Sequence, residues 1–225
     1  DPEQLEATVR TAFEIARTGR PGPVVVDMPK DLQNWEGAFR GEGQLPIPGY
    51  RNRLTAVNSN SIDEDVSREF LEMLAESRRP LIYAGGGVIN GGASEAMRAL
   101  SESFGIPVVT TLMGLGAIDT TGPLSLHMLG MHGTAYANYA VDDCDLLITL
   151  GARFDDRVAA VPSQFAPKAR RVLHFDIDPS EIGKVKKADW SYVGPLREAL
   201  QDLVAYGKLS GFSADFSEWH AEISN

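Results

Sequence analysis

The stretch that decides the fold is LIYAGGG, residues 81–87, in which an apolar run passes directly into three glycines. An apolar run without polar alternation predicts a strand that is buried on both faces, as is typical of parallel sheets. Three adjacent glycines predict a turn at the carboxyl end of this strand, where the backbone can approach another group closely.

Strands and helices alternate on both sides of this stretch. Ile62, Val66, Phe70 and Leu74 form an apolar stripe at helical spacing, and Ser61 and Glu64 in front of it have the spacing of a capping box. Further helices are predicted over residues 94–104, 134–141 and 195–206, with another starting at the DPSE run 178–181, and further strands over 106–110, 146–150, 172–176 and 190–193. The alternation predicts an α/β fold, a doubly wound, Rossmann-like parallel sheet.

The first 60 residues have a different pattern. Apolar residues at three- and four-residue spacing predict a helix that Gly19 ends, and Val24, Val25 and Val26 predict a strand buried on both faces. Because no partner strand is apparent nearby, we predict that residues 1–30 are the last helix–strand unit of an upstream domain. Residues 31–60 are then a linker, 61–206 the central domain and 207–225 a second linker towards an absent domain.

Composition excludes several classes of protein. The formal net charge of −10 argues against a nucleic-acid partner, which would require a basic face. The single cysteine, Cys144, excludes an internal disulfide framework, fits a reducing compartment and is expected to be a small buried residue beside a strand. No apolar run approaches the roughly 18 residues of a spanning helix, and no basic-then-apolar leader opens the chain. We therefore expect a soluble, cytoplasmic protein without a membrane partner.

The loops that follow the strands are the candidate ligand site, because ligands of open α/β sheets lie at the carboxyl ends of the strands. Loops 112–116 and 129–133 carry apolar and sulfur side chains, which suit a flat aromatic ligand. GARFDDRV, residues 151–158, offers two arginines four residues apart for a diphosphate or a polar ring edge. The alternatives are a glycine-rich turn alone at 85–87, a solvated ion-pair cluster at 153–157, a structural His132, and Asp178 as a simple helix cap.

Other classes of site fail on the residues present. The last glycine of a dinucleotide fingerprint would stand at Asn90, and the second strand ends in threonine instead of an acid, which disfavours NAD in its usual pose. The four histidines show no zinc-like pairing with Cys144, and there is neither a nucleophile elbow nor a Walker A loop. We expect no catalytic residue and no metal ligand in these 225 residues.

Several motifs resemble one enzyme family. GRPGPV (19–24) and DMPKD (27–31) look like the end of the pyrimidine-binding domain of thiamine-diphosphate enzymes. MHGTAYAN (131–138), GARFDDRV (151–158) and FAPK (165–168) closely resemble the acetolactate synthase large subunit, a match that runs from about residue 5 to 188. The run at 131–138 separates this family from two other FAD-containing thiamine-diphosphate enzymes, glyoxylate carboligase and pyruvate oxidase.

The resemblance implies that FAD lies along the strand ends of the central domain. The residues it assigns to FAD are Arg20, Gly85, Gly86, Gly87, Thr111, Leu112, Met113, Leu129, Gly130, Met131, His132, Gly151, Ala152, Arg153, Asp155, Arg157, Val158, Asp176, Ile177 and Glu181. It places Lys30, Met131, Asp156 and Arg157 near the substrate channel, where inhibitors also bind.

The resemblance also implies the parent activity. Such an enzyme uses thiamine diphosphate and Mg²⁺ to decarboxylate pyruvate and joins the two-carbon unit to a second 2-oxo acid in branched-chain amino acid biosynthesis. The family's catalytic glutamate and its magnesium–diphosphate segment are not found here, so this chain is expected to be inactive by itself. The parent is expected to be a homodimer or tetramer, with or without a small regulatory subunit.

Two departures and two alternatives accompany the resemblance. Gly194-Pro195 stands where the family usually has Gly-Asp, which puts the adenine contacts there in doubt, and Ala159-Ala160 replaces the common Thr-Gly. A stand-alone nucleotide-binding or electron-transfer module would explain the glycines and the sheet, but not Arg20 or the channel-like residues. A NAD-dependent deacylase-like domain would need a suitably placed histidine or a zinc knuckle, and the sequence offers neither.

Overall fold

The computed structural model describes residues 1–38, 45 and 47–224. The chain divides into two units, residues 1–59 and residues 60–225. Each unit has its own secondary structure and is described by itself.

The first unit contains three helices in its described part. They are α1 (Leu5–Arg17), which follows a 3-10 turn at Pro2–Gln4, the short α2 (Lys30–Gln33) and α3 (Tyr50–Asn58). The predicted first helix is confirmed, and Gly19 beyond its end has a left-handed φ of 62°. The predicted linker 31–60 contains most of α2 and all of α3, while its residues 39–44 and 46 lie outside the described residues. Helix α3 was missed because it buries no residue and therefore carries no apolar stripe.

The buried strand predicted at residues 24–26 is wrong for the described chain. These residues form no ladder, and Val25 is 90% exposed. A strand needs hydrogen bonds to a neighbour, and β-branched residues alone do not provide one. The predicted apolar face of α1 is similarly open, with Val9 40% and Phe13 67% exposed. The first unit thus presents apolar side chains that the described residues do not cover.

The second unit is a six-stranded sheet in which all strands are parallel. Its strands are β1 (Pro80–Ala84), β2 (Val108–Thr110), β3 (Ser125–Met128), β4 (Leu146–Leu150), β5 (Arg171–Asp176) and β6 (Trp190–Val193), in the order β3-β2-β1-β4-β5-β6. Its helices are α4 (Glu64–Ala75), α5 (Gly86–Asn90), α6 (Ser94–Phe104), α7 (Ala135–Asp143), α8 (Leu196–Leu209) and α9 (Ser217–Ile223). The order reverses at β1 and β4, and helices pack against the sheet, so the doubly wound fold is confirmed.

The apolar stripe of α4 behaves as predicted, but its cap does not. Ile62, Phe70 and Leu74 belong to the core. The N-cap is Asp63 instead of Ser61, and its side chain accepts a hydrogen bond from the backbone N–H of Val66 at 2.9 Å. Two potential caps stand close together here, and the carboxylate two residues further along the chain is the one used. The prediction for Cys144 is confirmed, because this residue is fully buried just before β4.

Strand β3 was missed by the sequence analysis, and the helix predicted after residue 178 is wrong. β3 is irregular: its register against β2 shifts between Val108 and Thr110, and His127 has a φ of 63°. A bulge of this kind breaks the alternation by which a strand is recognised. After Asp178 the chain forms turns, and the Asp178 carboxylate accepts from the backbone N–H and the hydroxyl of Ser180 at 3.0 and 2.7 Å. The capping signal was real, but no apolar stripe follows it to bury a helix.

Asp145 ties together the amino ends of three strands. Its carboxylate accepts from the Ser77 hydroxyl, from the backbone N–H groups of Arg78 and Arg79 at 3.0 Å each, and from the Arg170 guanidinium at 2.9 Å. Burial by itself would raise the pKa of Asp145, but these hydrogen bonds outweigh burial and lower it. The charged form of Asp145 therefore stabilises the folded state.

We expect Asp145→Asn to lower the free energy of unfolding by about 2 kcal/mol at pH 7, because a charged acceptor of several hydrogen bonds is replaced by a neutral one. Since folding lowers this pKa, the stabilisation is complete above the unfolded pKa of about 4 and is lost as the pH falls through the folded value. Urea unfolding of both proteins between pH 3 and 7 measures this. The control is Asp143→Asn, which affects only an exposed pair with Lys168. A difference that is constant down to pH 3 would contradict the assignment.

Candidate functional site

Because all six strands are parallel, the loops after them leave the sheet at one edge, its carboxyl edge. The loops after neighbouring strands contact each other there. Gly85, after β1, donates to the Leu150 carbonyl at 2.9 Å, and Gly151, after β4, donates to the Phe175 carbonyl at 2.9 Å. The predicted site residues in loops 85–87, 111–113, 129–132, 151–158 and 176–181 all belong to this edge.

The three glycines are required first of all by packing between two backbones. A Cβ on Gly85 would lie 2.3 Å from the Gly151 carbonyl oxygen, and one on Gly87 would lie 2.7 Å from the Gly151 Cα. Gly86 differs, because its Cβ would meet the Cβ of Met113 at 3.0 Å on the outer side of the turn. The turn also continues into the short helix α5. The glycine-rich turn therefore has a structural explanation at Gly85 and Gly87, whereas Gly86 faces the exposed side chain of Met113.

Residues 151–158, which we call the arginine loop, alternate between buried and exposed side chains. Ala152 and Phe154 are buried, whereas the side chains of Arg153 and Asp155 are 52% and 44% exposed. Asp156 and Arg157 follow on the exposed side. Arg153 lies 3.8 Å from the Asp155 carboxylate, and Asp155 also accepts from the backbone N–H of Arg157 at 3.1 Å. The loop thus holds two guanidinium groups and two carboxylates on the outer side of the edge.

The inner side of the arginine loop rests on an aromatic cluster. The Phe154 ring packs against Tyr83, Phe165 and His174, with centroid separations of 5.7, 5.7 and 5.4 Å. The Tyr83 hydroxyl donates to the Arg153 carbonyl at 2.8 Å, and His174 Nε2 lies 3.2 Å from the Ala152 carbonyl. Burial raises the pKa of Tyr83, and burial lowers the pKa of His174 despite the bond to Ala152 and the nearby Glu181. Both side chains are therefore neutral near pH 7.

The sequence does not reveal these anchoring residues. Tyr83 and His174 lie within predicted strands, and Phe154 stands among the charges of the arginine loop. The available signal was a single aromatic residue between charged ones after a buried strand, which indicates a loop fastened to the core.

The loop after β3 approaches the arginine loop. The Asn138 side chain holds Gly130 by accepting from its N–H at 2.8 Å and donating to its carbonyl at 3.1 Å. A Cβ on Gly130 would lie 3.3 Å from the Arg157 carbonyl oxygen. Met131 and His132, which follow, are exposed. The arginine loop therefore extends from β4 to the loop after β3, across the edge positions of β1 and β2.

Several large apolar side chains are exposed at this edge. Leu112, Met113 and Met131 are 68, 71 and 73% exposed, respectively. The predicted neighbour Thr111 caps the turn Leu112–Gly114 by accepting from the Gly114 N–H at 3.1 Å. Leu129, by contrast, is buried and offers no exposed side chain to a ligand.

At the β5 side of the edge, two acids are buried. Asp176 accepts from the backbone N–H of Asp178 at 2.9 Å, and Glu181 pairs with Lys184 at 3.1 Å. Gly194 donates to the Asp176 carbonyl at 3.1 Å, and a Cβ on Gly194 would clash with the Tyr192 ring. Pro195, in place of the family's acid, is the N-cap of α8.

Two predicted residues belong to the other unit. Arg20 and Lys30 are exposed in residues 1–59. Across the described ranges, no group of three His, Cys, Asp or Glu side chains could hold a metal ion. None of the helices in the described part of the chain combines the length and apolar character that crossing a bilayer requires.

Comparison with known proteins places this fold in a family. Residues 67–203 match the family described as "Thiamine pyrophosphate enzyme, central domain". The chain is 46% identical, over 99% of its length, to "Acetolactate synthase 1, chloroplastic" of Zea mays, of which it covers 34%. It is 48% identical, over 91% of its length, to the "Probable acetolactate synthase large subunit" of Methanocaldococcus jannaschii, of which it covers 34%. It is also 48% identical, over 91% of its length, to the "Acetolactate synthase large subunit" of Parasynechococcus marenigrum, of which it covers 32%.

The chain therefore spans about a third of the length of the curated relatives it matches. The resemblance to acetolactate synthases noted in the motifs is confirmed over nearly the whole chain. With its all-parallel sheet and the match over residues 67–203, this chain belongs to the thiamine pyrophosphate enzyme family, whose central domain these residues form.

Proposed function

We propose that the carboxyl edge of this sheet binds FAD, and that the chain is the central part of an acetolactate synthase catalytic subunit. The observation that carries this proposal is that exposed apolar side chains, Leu112, Met113 and Met131, lie at the same edge of the sheet as the guanidinium groups of the arginine loop. A ligand that suits both has a flat apolar ring and a phosphate group, and FAD has both.

The donor set at the edge fits the parts of FAD. Arg153 and Arg157 would bind the diphosphate, because a guanidinium forms paired hydrogen bonds to phosphate oxygens. Asp155 would accept from ribitol hydroxyls, and Met113 and Met131 would contact the ring. The adenosine end would lie towards Ile177, near Asp176 and Glu181. The remaining assignments are to Arg20, Gly85, Gly86, Gly87, Thr111, Leu112, Leu129, Gly130, His132, Gly151, Ala152 and Val158.

For the parent protein we propose decarboxylation of pyruvate and transfer of the two-carbon unit to a second 2-oxo acid, in branched-chain amino acid biosynthesis. Thiamine diphosphate, when bound, supplies the nucleophile and the electron sink for such a reaction. The described residues do not fit the Mg²⁺ that accompanies it, because they contain no suitable cluster of ligands. The reaction has no net redox change, so the role of FAD would be structural. The residues that we assign to the substrate channel are Lys30, Met131, Asp156 and Arg157.

The parent would be a homodimer or tetramer in the cytoplasm, with or without a small regulatory subunit. For the 225-residue chain by itself we expect no acetolactate production. A colorimetric acetolactate assay on the purified chain with pyruvate, thiamine diphosphate, Mg²⁺ and FAD measures this. Production above the protein-free background would contradict the view that the chain is only one part of the catalytic unit.

The proposal for FAD is tested by purifying the chain, recording a flavin spectrum and identifying the released ligand by mass spectrometry. We expect FAD, either retained or bound on addition. Arg153→Gln and Arg157→Gln are each expected to weaken binding about tenfold, since each removes a charged donor to phosphate. Arg68→Gln is the matched control, because Arg68 is an exposed arginine on α4 that pairs with Asp65.

Release of NAD, or equal loss of affinity in all three variants, would contradict FAD binding at this edge. NAD would favour the stand-alone nucleotide-binding module instead. A chain that binds neither ligand would contradict the proposal for this chain, and repeating the titration with the full-length parent would show whether the other domains supply the missing affinity.

A further inference from the structure

We propose that Tyr83 and His174 are positioning residues, which together fasten the inner side of the arginine loop so that Arg153 and Asp155 face the ligand. This inference rests on the proposed function for its ligand, but the fastening itself is observed. Two successive carbonyls of the loop, those of Ala152 and Arg153, each accept one hydrogen bond from a buried side chain of the sheet.

The two side chains act from the same level of the sheet. Tyr83 is aligned with Thr149 on β4, and Thr149 with His174 on β5. Aligned residues of parallel strands project from the same face, so Tyr83 and His174 stand on either side of β4, the strand that leads into the loop. Phe154 contacts both rings, and Tyr83 is also 5.8 Å from Phe165.

The geometry assigns a tautomer to His174. A carbonyl can only accept, so Nε2 carries the proton and Nδ1 is an acceptor. Nδ1 and the Thr149 hydroxyl are both buried without a hydrogen-bond partner among the described residues. A leucine at position 174 would avoid the cost of the unpaired Nδ1. The bond from Nε2 to the loop is therefore the contribution of His174 that an apolar side chain could not replace.

The fastening sets where the charged groups lie. Arg153 is held directly, because its own carbonyl accepts from Tyr83. It is also held through its neighbours, since the Ala152 carbonyl is bound by His174 and the Phe154 ring packs in the aromatic cluster. Rotating the backbone at Ala152 or Arg153 would move the Arg153 guanidinium and the Asp155 carboxylate with it. A loop that is already fixed binds a ligand without the cost of ordering it.

Tyr83→Phe tests the first anchor, because it removes one hydroxyl and keeps the ring. Tyr192→Phe is its matched control: Tyr192 is also buried, stacks against Phe175, and donates to the Asn60 carbonyl at 2.8 Å, outside the arginine loop. His174→Gln and His174→Met test the second anchor. Glutamine keeps an N–H near the position of Nε2, whereas methionine has similar length and no donor.

Three measurements are made on the 225-residue chain: amide hydrogen exchange over residues 152–158, urea unfolding, and FAD titration. We expect Tyr83→Phe and His174→Met to speed exchange in the loop by roughly fivefold to tenfold, and to weaken FAD binding by a similar factor. Tyr192→Phe is expected to lose comparable global stability with less than about a twofold change in either loop exchange or affinity. His174→Gln is expected to restore most of what His174→Met loses.

The proposal is overturned if Tyr83→Phe matches Tyr192→Phe in loop exchange, or if glutamine and methionine at position 174 behave alike. If His174→Met does not fold, the comparison of loop exchange between Tyr83→Phe and Tyr192→Phe tests the proposal. If the wild-type chain binds no FAD, the proposal that FAD is the ligand is wrong. The hydrogen-exchange measurements would still show whether Tyr83 and His174 fasten the loop.

Discussion

Gly85→Ala is expected to lower the free energy of unfolding of the second unit by about 3 kcal/mol or more. The added Cβ would lie 2.3 Å from the Gly151 carbonyl oxygen and 2.5 Å from the Ala152 Cα. Neither backbone can move away easily, because Gly85 donates to Leu150 and Gly87 donates to Gly151, both at 2.9 Å. Urea unfolding followed by far-UV circular dichroism measures the loss.

Gly86→Ala is the matched control, one residue along the same turn. Its Cβ would meet Met113 at 3.0 Å, and Met113 is exposed on a short 3-10 turn that can shift by a few tenths of an ångström. We expect a loss of at most about 1 kcal/mol in stability. If FAD lies against this turn, the same variant weakens FAD binding more than it weakens the fold. Equal destabilisation at Gly85 and Gly86 would show that the close approach of the two backbones is not what requires glycine.

Trp219→Ala is expected to cost about 4 kcal/mol, the range for removing a buried tryptophan. The Trp219 ring is 2% exposed, and its Nε1 donates to the Pro80 carbonyl at 3.0 Å at the start of β1. Arg79 lies over the ring at 5.8 Å and pairs with Glu222 at 2.9 Å, and His220 lies 2.8 Å from the Gly105 carbonyl. Helix α9 therefore closes the amino edge of the sheet.

The effect of Trp219→Ala shows whether residues 207–225 are a linker or contain a helix that packs against the sheet. The sequence predicted a linker towards another domain, and a linker could be removed without loss of stability. We expect the deletion of residues 212–225 to cost at least as much as Trp219→Ala, because it also removes the buried Phe216. Leu209→Ala is the control, because Leu209 is 81% exposed and should change stability by less than about 0.5 kcal/mol. A truncated chain that unfolds at the wild-type urea concentration would contradict the docking of α9.

The elements that the sequence predicted well are those whose apolar residues follow a regular period. Helix α6 and strand β4 begin and end where predicted, since each buries a continuous face or run. Strand β6 also has its predicted bounds, although only Tyr192 of its four residues is buried. The elements that it missed lack such a pattern. α3 buries nothing, β3 contains a bulge at His127, and α9 buries only Trp219 fully within its seven residues.

The candidate site was predicted in the same uneven way. The strand-end loops could be located because parallel strands send their carboxyl ends to one edge. What each loop residue does there could not be read from the sequence. Gly85 and Gly87 resemble ligand-binding glycines, yet they pack against Gly151 and Ala152. Leu129 was expected to line a ligand, yet its side chain is buried.

The sequence by itself determined the fold class, the edge of the sheet that carries the unusual loops, and the family, because hydrophobic period and motif identity are local properties of the chain. Only the tertiary structure decided that Phe154 lies between Tyr83 and His174, and that residues far apart in sequence, such as Pro80 and Trp219, meet at the amino edge. Such contacts depend on the distances between strands and on which side chains face each other across them. These distances and facings are defined only once the sheet has formed. The contacts that they allow hold residues 151–158 as a loop whose charged side chains lie on its outer side.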